Sequence, residues 1–256
     1  MFLLVMHATY TFDFLTTVSR QLSDQLEGME STALNSGTLR QLSNFQDKVG
    51  SRQGVYVLYY ADAPVYLGKA ENVSARLFQH LEKLRGRRGI DQAKIGYKAL
   101  LLGKSMSTAA NENILINIFK ERHPDLWNGR GFGPKDPGKE RDTTKPGWFD
   151  QAFPIEPAYP ITLTEVVQGA IEIGKLFEQM KAQLPYVFRF DIDADLLRET
   201  IDITQVPCDA RSLFQAAIDK LGVNWKGAIL SYGMVLYRTD KTYPYGEEIT
   251  ARLGSA

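Results

Sequence analysis

Residues 54–69 read GVYVLYYADAPVYLGK, with Tyr56 just after one glycine and Tyr66 just before another. Farther on, ARLFQH sets Arg76 and His80 four residues apart, which puts both on one face of a helix. In STAANENILINIF, Glu112 shares a helical face with Ala109, Leu115, Ile116 and Phe119. These residue types can do chemistry together. A guanidinium offers an anion a rigid fork of donors. A phenol gives up its proton only near about pH 10, and an imidazole near about 6.5 is a place for such a proton to go. A carboxylate on an apolar stripe is costly unless a cation, a metal ion or hydrogen bonds satisfy it. Each residue also has a plain structural reading: aromatic packing in a hairpin, a solvated helix arginine, a structural histidine, an edge-of-stripe glutamate reaching water.

The elements that must carry them follow from spacing and turn chemistry. Residues 12–49 read as two helices, with Leu15, Val18, Leu22 and Leu26 at helical spacing and GMESTALNSG as the break. Residues 54–60 form a strand, ADAP a turn, and VYLGK a second strand. Asn72 or Ser74 caps a helix to about Arg85, with Val73, Leu77, Leu81 and Leu84 as its buried stripe. KIGYKALLLG (94–103) is a third strand, and Ser105 or Ser107 opens a helix through Arg122 that Pro124 ends. The stretch 127–150, WNGRGFGPKDPGKERDTTKPGWFD, holds too much Gly and Pro for regular structure and reads as a functional loop. Beyond it, Thr162 and Glu165 form a capping box for a helix to about Leu184. PYVFRFDID is a strand, Asp209 caps a helix that stops at Gly222, and AILSYGMVLYR reads as one buried strand.

Register decides whether the two tyrosines meet, because side chains alternate along a strand. A four-residue ADAP loop sends them to opposite faces. A five-residue loop, Tyr60 to Pro64, pairs Leu58 with Tyr66 and Tyr56 with Gly68, and both phenols then face the same way. Pro64 favours the second, since it cannot donate to the ladder. A shared site requires an odd-length loop or a bulge.

The 256 residues suffice for one large domain or two modest ones, and the single cysteine excludes a disulfide framework or a thiolate metal cluster. The chain lacks the features of a signal peptide or a membrane span, which points to a soluble, cytoplasmic protein with no membrane partner. The zero net charge hides a pattern: residues 69–145 hold 16 Lys and Arg against 9 Asp and Glu, while both flanks are net acidic. A basic middle of this kind suits a phosphate-binding face.

GVY, YLG, the arginine of GKAENVSARLFQH and the glutamate of a later helix, taken in order, resemble the GIY-YIG nuclease superfamily. The likeness covers residues 54–128. Val55 stands where that pattern has isoleucine, and the spacer between the two tyrosine motifs is short. His80 and WNGRGFGPKDPGKERDTT further resemble the type II restriction endonucleases of the superfamily that cut GC-rich palindromes. The resemblance implies an α+β fold: a small three-stranded mixed or antiparallel sheet flanked by helices (51–150, with a DNA-contacting loop at 127–145). An N-terminal helical arm (1–50) precedes it and an α+β appendage (151–256) follows.

It also implies Tyr56, Tyr66, Arg76, His80, Glu112 and Asn128 as catalytic residues, with Glu112 holding Mg²⁺ or Mn²⁺. Arg76 would grip the scissile phosphate, Tyr56 would activate the attacking water, His80 would relay its proton, and Tyr66 would orient the water or a phosphate oxygen. Lys69, Arg85, Arg87, Arg88, Arg130 and Arg141 become candidates for contact with double-stranded DNA. A palindromic site implies a homodimer in a prokaryotic cytoplasm. The alternatives are a GIY-YIG nuclease of repair or mobile-element type, to which GKAENVSARL is also similar, and a catalytically silent nucleic-acid-binding protein of the same fold.

Overall fold

The structure, a computed structural model, describes residue 9 and residues 11–103, 106, 110–133 and 138–252. The expected helix start at Ser105 or Ser107 lies outside these residues. The chain forms two compact units, one of Met1–Phe78 with Ala93–Asn128 and one of Gln79–Gln92 with Gly129–Ala256. The division falls inside one helix, and the N-terminal helices belong to the first unit.

The first unit opens with α1 (Phe14–Gly28), started by Asp13, whose side chain accepts from the Thr16 N–H. Val18, Leu22 and Leu26 are buried as the spacing predicts, but Leu15 is exposed. Asn35 and Thr38 form a capping box for α2 (Ser36–Val49), which Gly50 ends in the left-handed region (φ 66°). Between the helices, Thr32–Ala33 form the short strand β1. It pairs with β4 (Ile95–Leu101), which in turn pairs with β2 (Gly54–Tyr60), itself paired with β3 (Ala63–Ala70). The sheet is thus antiparallel and four-stranded, not three-stranded. The break between the helices is extended rather than irregular because its backbone continues the edge of β4, with the Leu34 N–H donating to the Ile95 carbonyl. Strand β2 is central and buried on both faces. Val55, Val57, Tyr59 and Leu67 meet the α1 stripe and Leu115 and Phe119 of α4 (Glu112–Arg122) in one core.

The hairpin turns in two residues, Ala61 and Asp62, both at positive φ (48° and 65°), as the primed turns that suit twisted strands require. The expected four- or five-residue loop is therefore replaced: Tyr60 pairs with Ala63 and Tyr59 with Pro64 inside the ladder. A bulge then inserts Val65, so that Leu58 faces Tyr66 and Tyr56 faces Gly68. Without that extra residue the pairing would put the phenols on opposite faces.

Helix α3 (Val73–Arg85) begins at Asn72, whose Oδ1 accepts from the Ala75 N–H, and buries Val73, Leu77, Leu81 and Leu84. Helix α4 begins at Glu112, where the Asn111 side chain accepts from the Ile114 N–H and caps it.

In the second unit a sheet runs β10–β8–β9–β6, and only the β6–β9 pair is parallel. AILSYGMVLYR is two strands, β8 (Lys226–Leu230) and β9 (Gly233–Tyr237), with a turn at Ser231 and Tyr232. The other sheet strands are β6 (Val187–Phe190) and β10 (Gly246–Thr250). The unit also holds α5 (Trp148–Ala152), α6 (Ile173–Gln183), α7 (Ala210–Leu221) and the small pair β5 (Ala170–Glu172) with β7 (Thr200–Asp202).

Helix α6 does not start at Thr162. Residues 162–164 are extended, and two glutamines one helical turn apart on α6 hold them. Gln183 bonds both the N–H and the C=O of Thr162 at 2.9 Å, and Gln179 bonds those of Thr164 at 2.7 and 2.9 Å. Asp209 caps α7, and Gly222 ends it, as expected.

Among the described residues no helix is long and apolar enough to cross a membrane.

Candidate active site

The bulge at Val65 places Tyr56, Leu58, Tyr66 and Gly68 on one face of the hairpin. The Tyr56 and Tyr66 rings lie 6.3 Å apart, and their hydroxyls share a hydrogen bond. Gly68 directly opposite is what lets the Tyr56 ring lie flat across β3: a Cβ there would collide with its hydroxyl. Burial pushes the Tyr56 phenol well above the usual tyrosine range. The neighbouring Tyr66 and Glu112 push the same way, and Arg76 opposes them. Tyr66 is also raised, by burial first and then by Glu112, again with Arg76 opposing. The fields of Arg76, from the first turn of α3, and of Glu112, from the first residue of α4, therefore both reach the phenol pair.

Glu112 leads its helix rather than sitting in mid-stripe. The positive end of the helix favours a carboxylate there, and the Lys69 N–H donates to Oε1 at 3.2 Å. This answers the burial cost that the sequence pattern raised. Lys69, expected at the DNA, is half-buried and spends its ammonium on the Ala110 carbonyl at 2.9 Å, which ties the approach to α4 to β3.

Asn128 occupies a different kind of position from the other candidates. It is buried, and its amide bonds both backbone groups of Leu67, accepting from the N–H at 2.9 Å and donating to the C=O at 2.7 Å. The Trp127 N–H donates to the Val65 carbonyl at 2.5 Å beside it. Together with Glu112 these groups satisfy the outward backbone of β3, which no strand among the described residues covers. Asn128 thus fixes the strand that carries Tyr66 and Gly68. Trp127 does the same through its backbone, a role no side-chain type announces.

His80 belongs to the second unit, one turn beyond Arg76 along α3. Its buried ring stacks on Phe132 at 5.0 Å. Lys83 lies over Phe132 and Phe149 (5.2 and 5.8 Å), and burial, then Arg87, pushes its ammonium down to about 8.

The arginines expected at DNA divide into three groups. Arg87 turns inward: its guanidinium is buried and bonds Asp150 (2.8 Å) and the carbonyls of Phe153 and Ser231, a structural role where a DNA contact was expected. Arg85 and Arg88 are exposed and pair with Glu82 and Glu156. Arg141 is exposed and bonds Thr144, while Arg130 lies over the Trp148 ring at 3.9 Å. The glycines at 129, 131, 133 and 138 all adopt positive φ, and among the described residues of 129–147 the one regular element is a 3₁₀ turn at Lys139–Arg141.

Glu112 is the acidic residue beside the phenols. Among the described residues no three His, Cys, Asp or Glu side chains cluster as a metal cage. A single carboxylate with water completing the shell is a donor set that suits Mg²⁺, which dehydrates reluctantly and asks for only one or two protein carboxylates. No family model and no curated protein matches the chain.

Proposed function

We propose that this protein is a divalent-metal-dependent endonuclease that hydrolyses phosphodiester bonds in double-stranded DNA, acting as a type II restriction enzyme of the GIY-YIG kind. One observation carries the reading: a buried phenol and a half-buried one, on one hairpin face, lie within the fields of one guanidinium and one carboxylate. A scissile phosphate needs a cation on its oxygens and a positioned water, and this set of groups can supply both.

Arg76 would hold the phosphate through its fork of donors. Glu112 would hold Mg²⁺ or Mn²⁺, which when bound supplies charge stabilisation to the non-bridging oxygens. Tyr56 and Tyr66, like any phenol, are neutral at physiological pH, and burial only extends that range upward, so the pair orients the attacking water through its hydroxyls. Tyr56 can take the water's proton only as its own is passed on, and the resemblance, not a contact, is what names His80 for that role. Asn128 serves by holding β3. A palindromic target cut on both strands would use a homodimer with one site per strand.

The test is incubation of plasmid DNA with the protein and Mg²⁺, beside a reaction with chelator. Discrete double-strand fragments that vanish with chelator support restriction. Nicking or structure-dependent cutting would instead indicate a repair-type nuclease. No metal-dependent cutting of varied DNA would sink the reading.

A further inference from the structure

In the second unit the chain passes close to itself where Gly131 and Gly147 meet. A Cβ on Gly147 would stand 3.0 Å from the Gly131 Cα and 3.2 Å from the Arg130 carbonyl. The Phe149 N–H donates to that same carbonyl at 2.8 Å. This crossing seats the Arg130 guanidinium 3.9 Å above the Trp148 indole. Trp148 is 40% exposed, whereas Trp127 and Trp225 are buried at 4% each. An indole this large is seldom left at a surface unless it contacts something. Here its face is used to hold a half-buried arginine in one plane.

A stacked guanidinium keeps its fork of N–H donors in a fixed direction, which is what bidentate pairing with guanine O6 and N7 requires and what a plain phosphate contact does not. We propose that Arg130 is a guanine-reading residue of this protein and that Trp148 is the positioning residue that fixes its plane. The proposal rests on the nuclease reading and sharpens it, because it selects one arginine of the basic middle for base recognition and recruits a tryptophan to it. Arg85 and Arg88 instead spend donors on surface acids, Glu82 and Glu156.

The test compares two copies of one amplified DNA fragment spanning a wild-type cut site, one made with guanine and one with 7-deazaguanine, which lacks the N7 acceptor but keeps every phosphate. Binding is measured with Ca²⁺ in place of Mg²⁺, for wild type, Arg130→Lys and Trp148→Ala. Wild type is expected to prefer the guanine fragment by about tenfold. In Arg130→Lys, which keeps the charge, and in Trp148→Ala, the preference is expected to fall towards one while melting temperatures stay near wild type. A preference that persists in Arg130→Lys overturns the proposal. So does wild-type binding that ignores the N7 atom, and in that case metal-dependent cutting would leave the nuclease reading standing. Absence of both binding and cutting overturns the two together.

Discussion

At the scale of single residues, the phenol pair is governed by burial. Both tyrosines sit above their ordinary range, so the folded state holds them protonated where an unfolded chain would ionise them from about pH 10 upward. The sign follows from linkage: the contribution of these groups is fully present below the unfolded value and is lost as pH rises from there towards the folded value. Urea unfolding across pH 8 to pH 11 (about two units below the unfolded value to one above,) is expected to show stability falling above about pH 10, and less steeply in Tyr56→Phe. Equal slopes would remove burial as the cause.

Gly68 supplies a second residue-scale prediction. Gly68→Ala forces the Tyr56 ring aside, so it should lower stability by about 1–3 kcal/mol and slow cleavage together. An alanine variant with wild-type melting and rate would mean the ring has room to move.

At the scale of elements, the site depends on one inserted residue and one borrowed edge. Val65 sets the register, and the amide of Asn128 takes the place of a neighbouring strand along β3. Asn128→Ala leaves a buried N–H and a buried C=O unpaired, at about 1–3 kcal/mol each. Asn128→Asp can accept from the Leu67 N–H but cannot donate to its carbonyl while ionised. Its stability deficit should therefore shrink at acid pH, where a protonated carboxyl regains the donor. Chemical denaturation of both variants checks this; a stable Asn128→Asp with lost cleavage would instead assign the amide to the chemistry.

The same elements show what the sequence makes legible. Helices with their own caps, such as α3 behind Asn72 and α7 behind Asp209, are readable because the deciding groups are a few residues away. The bulge is not, since Ala61–Asp62 lacks the glycine usual in a primed turn, and Ala61 adopts positive φ against ordinary preference. Thr162–Glu165 mimics a helix start, yet Gln179 and Gln183 hold that segment extended from a distance. The hydroxyl-bearing pair Ser231–Tyr232 turns between two strands with no glycine at its centre, so one apolar run hides a hairpin. Four of the gathered site residues were legible as an ordered set. The way Glu112 is satisfied was not, because its partner is a backbone N–H on another element.

At the scale of the molecule, the second unit gives the Gly- and Pro-rich stretch a fixed anchor. Asp142, buried within that stretch, accepts at one oxygen from Arg189 of β6 and from the Tyr232 hydroxyl at 2.7 Å, while Lys139 lies over the Tyr237 ring at 4.1 Å. The β-sheet of the C-terminal region thus holds the segment that carries Arg130 and Arg141. Asp142→Ala leaves the Arg189 charge without this partner and is expected to cost about 3–5 kcal/mol. It should also open residues 138–147 to proteolysis before the rest of the chain. Limited digestion with mass mapping checks the order of cleavage, and simultaneous loss of the whole unit would deny the segment its anchor.

On the proposed reading, the hairpin phenols, Arg76 and Glu112 form one metal-dependent phosphodiesterase site. Its most direct test is the single-turnover rate of Glu112→Gln on a cut-site duplex in Mg²⁺, with DNA binding measured in Ca²⁺ on the same variant. The amide keeps the shape and can still accept from Lys69, but it forfeits the charge that would hold the cation. The expected result is a rate at least about a hundredfold lower, with melting temperature and DNA affinity close to wild type. A Glu112→Gln protein that cuts at the wild-type rate would contradict the account.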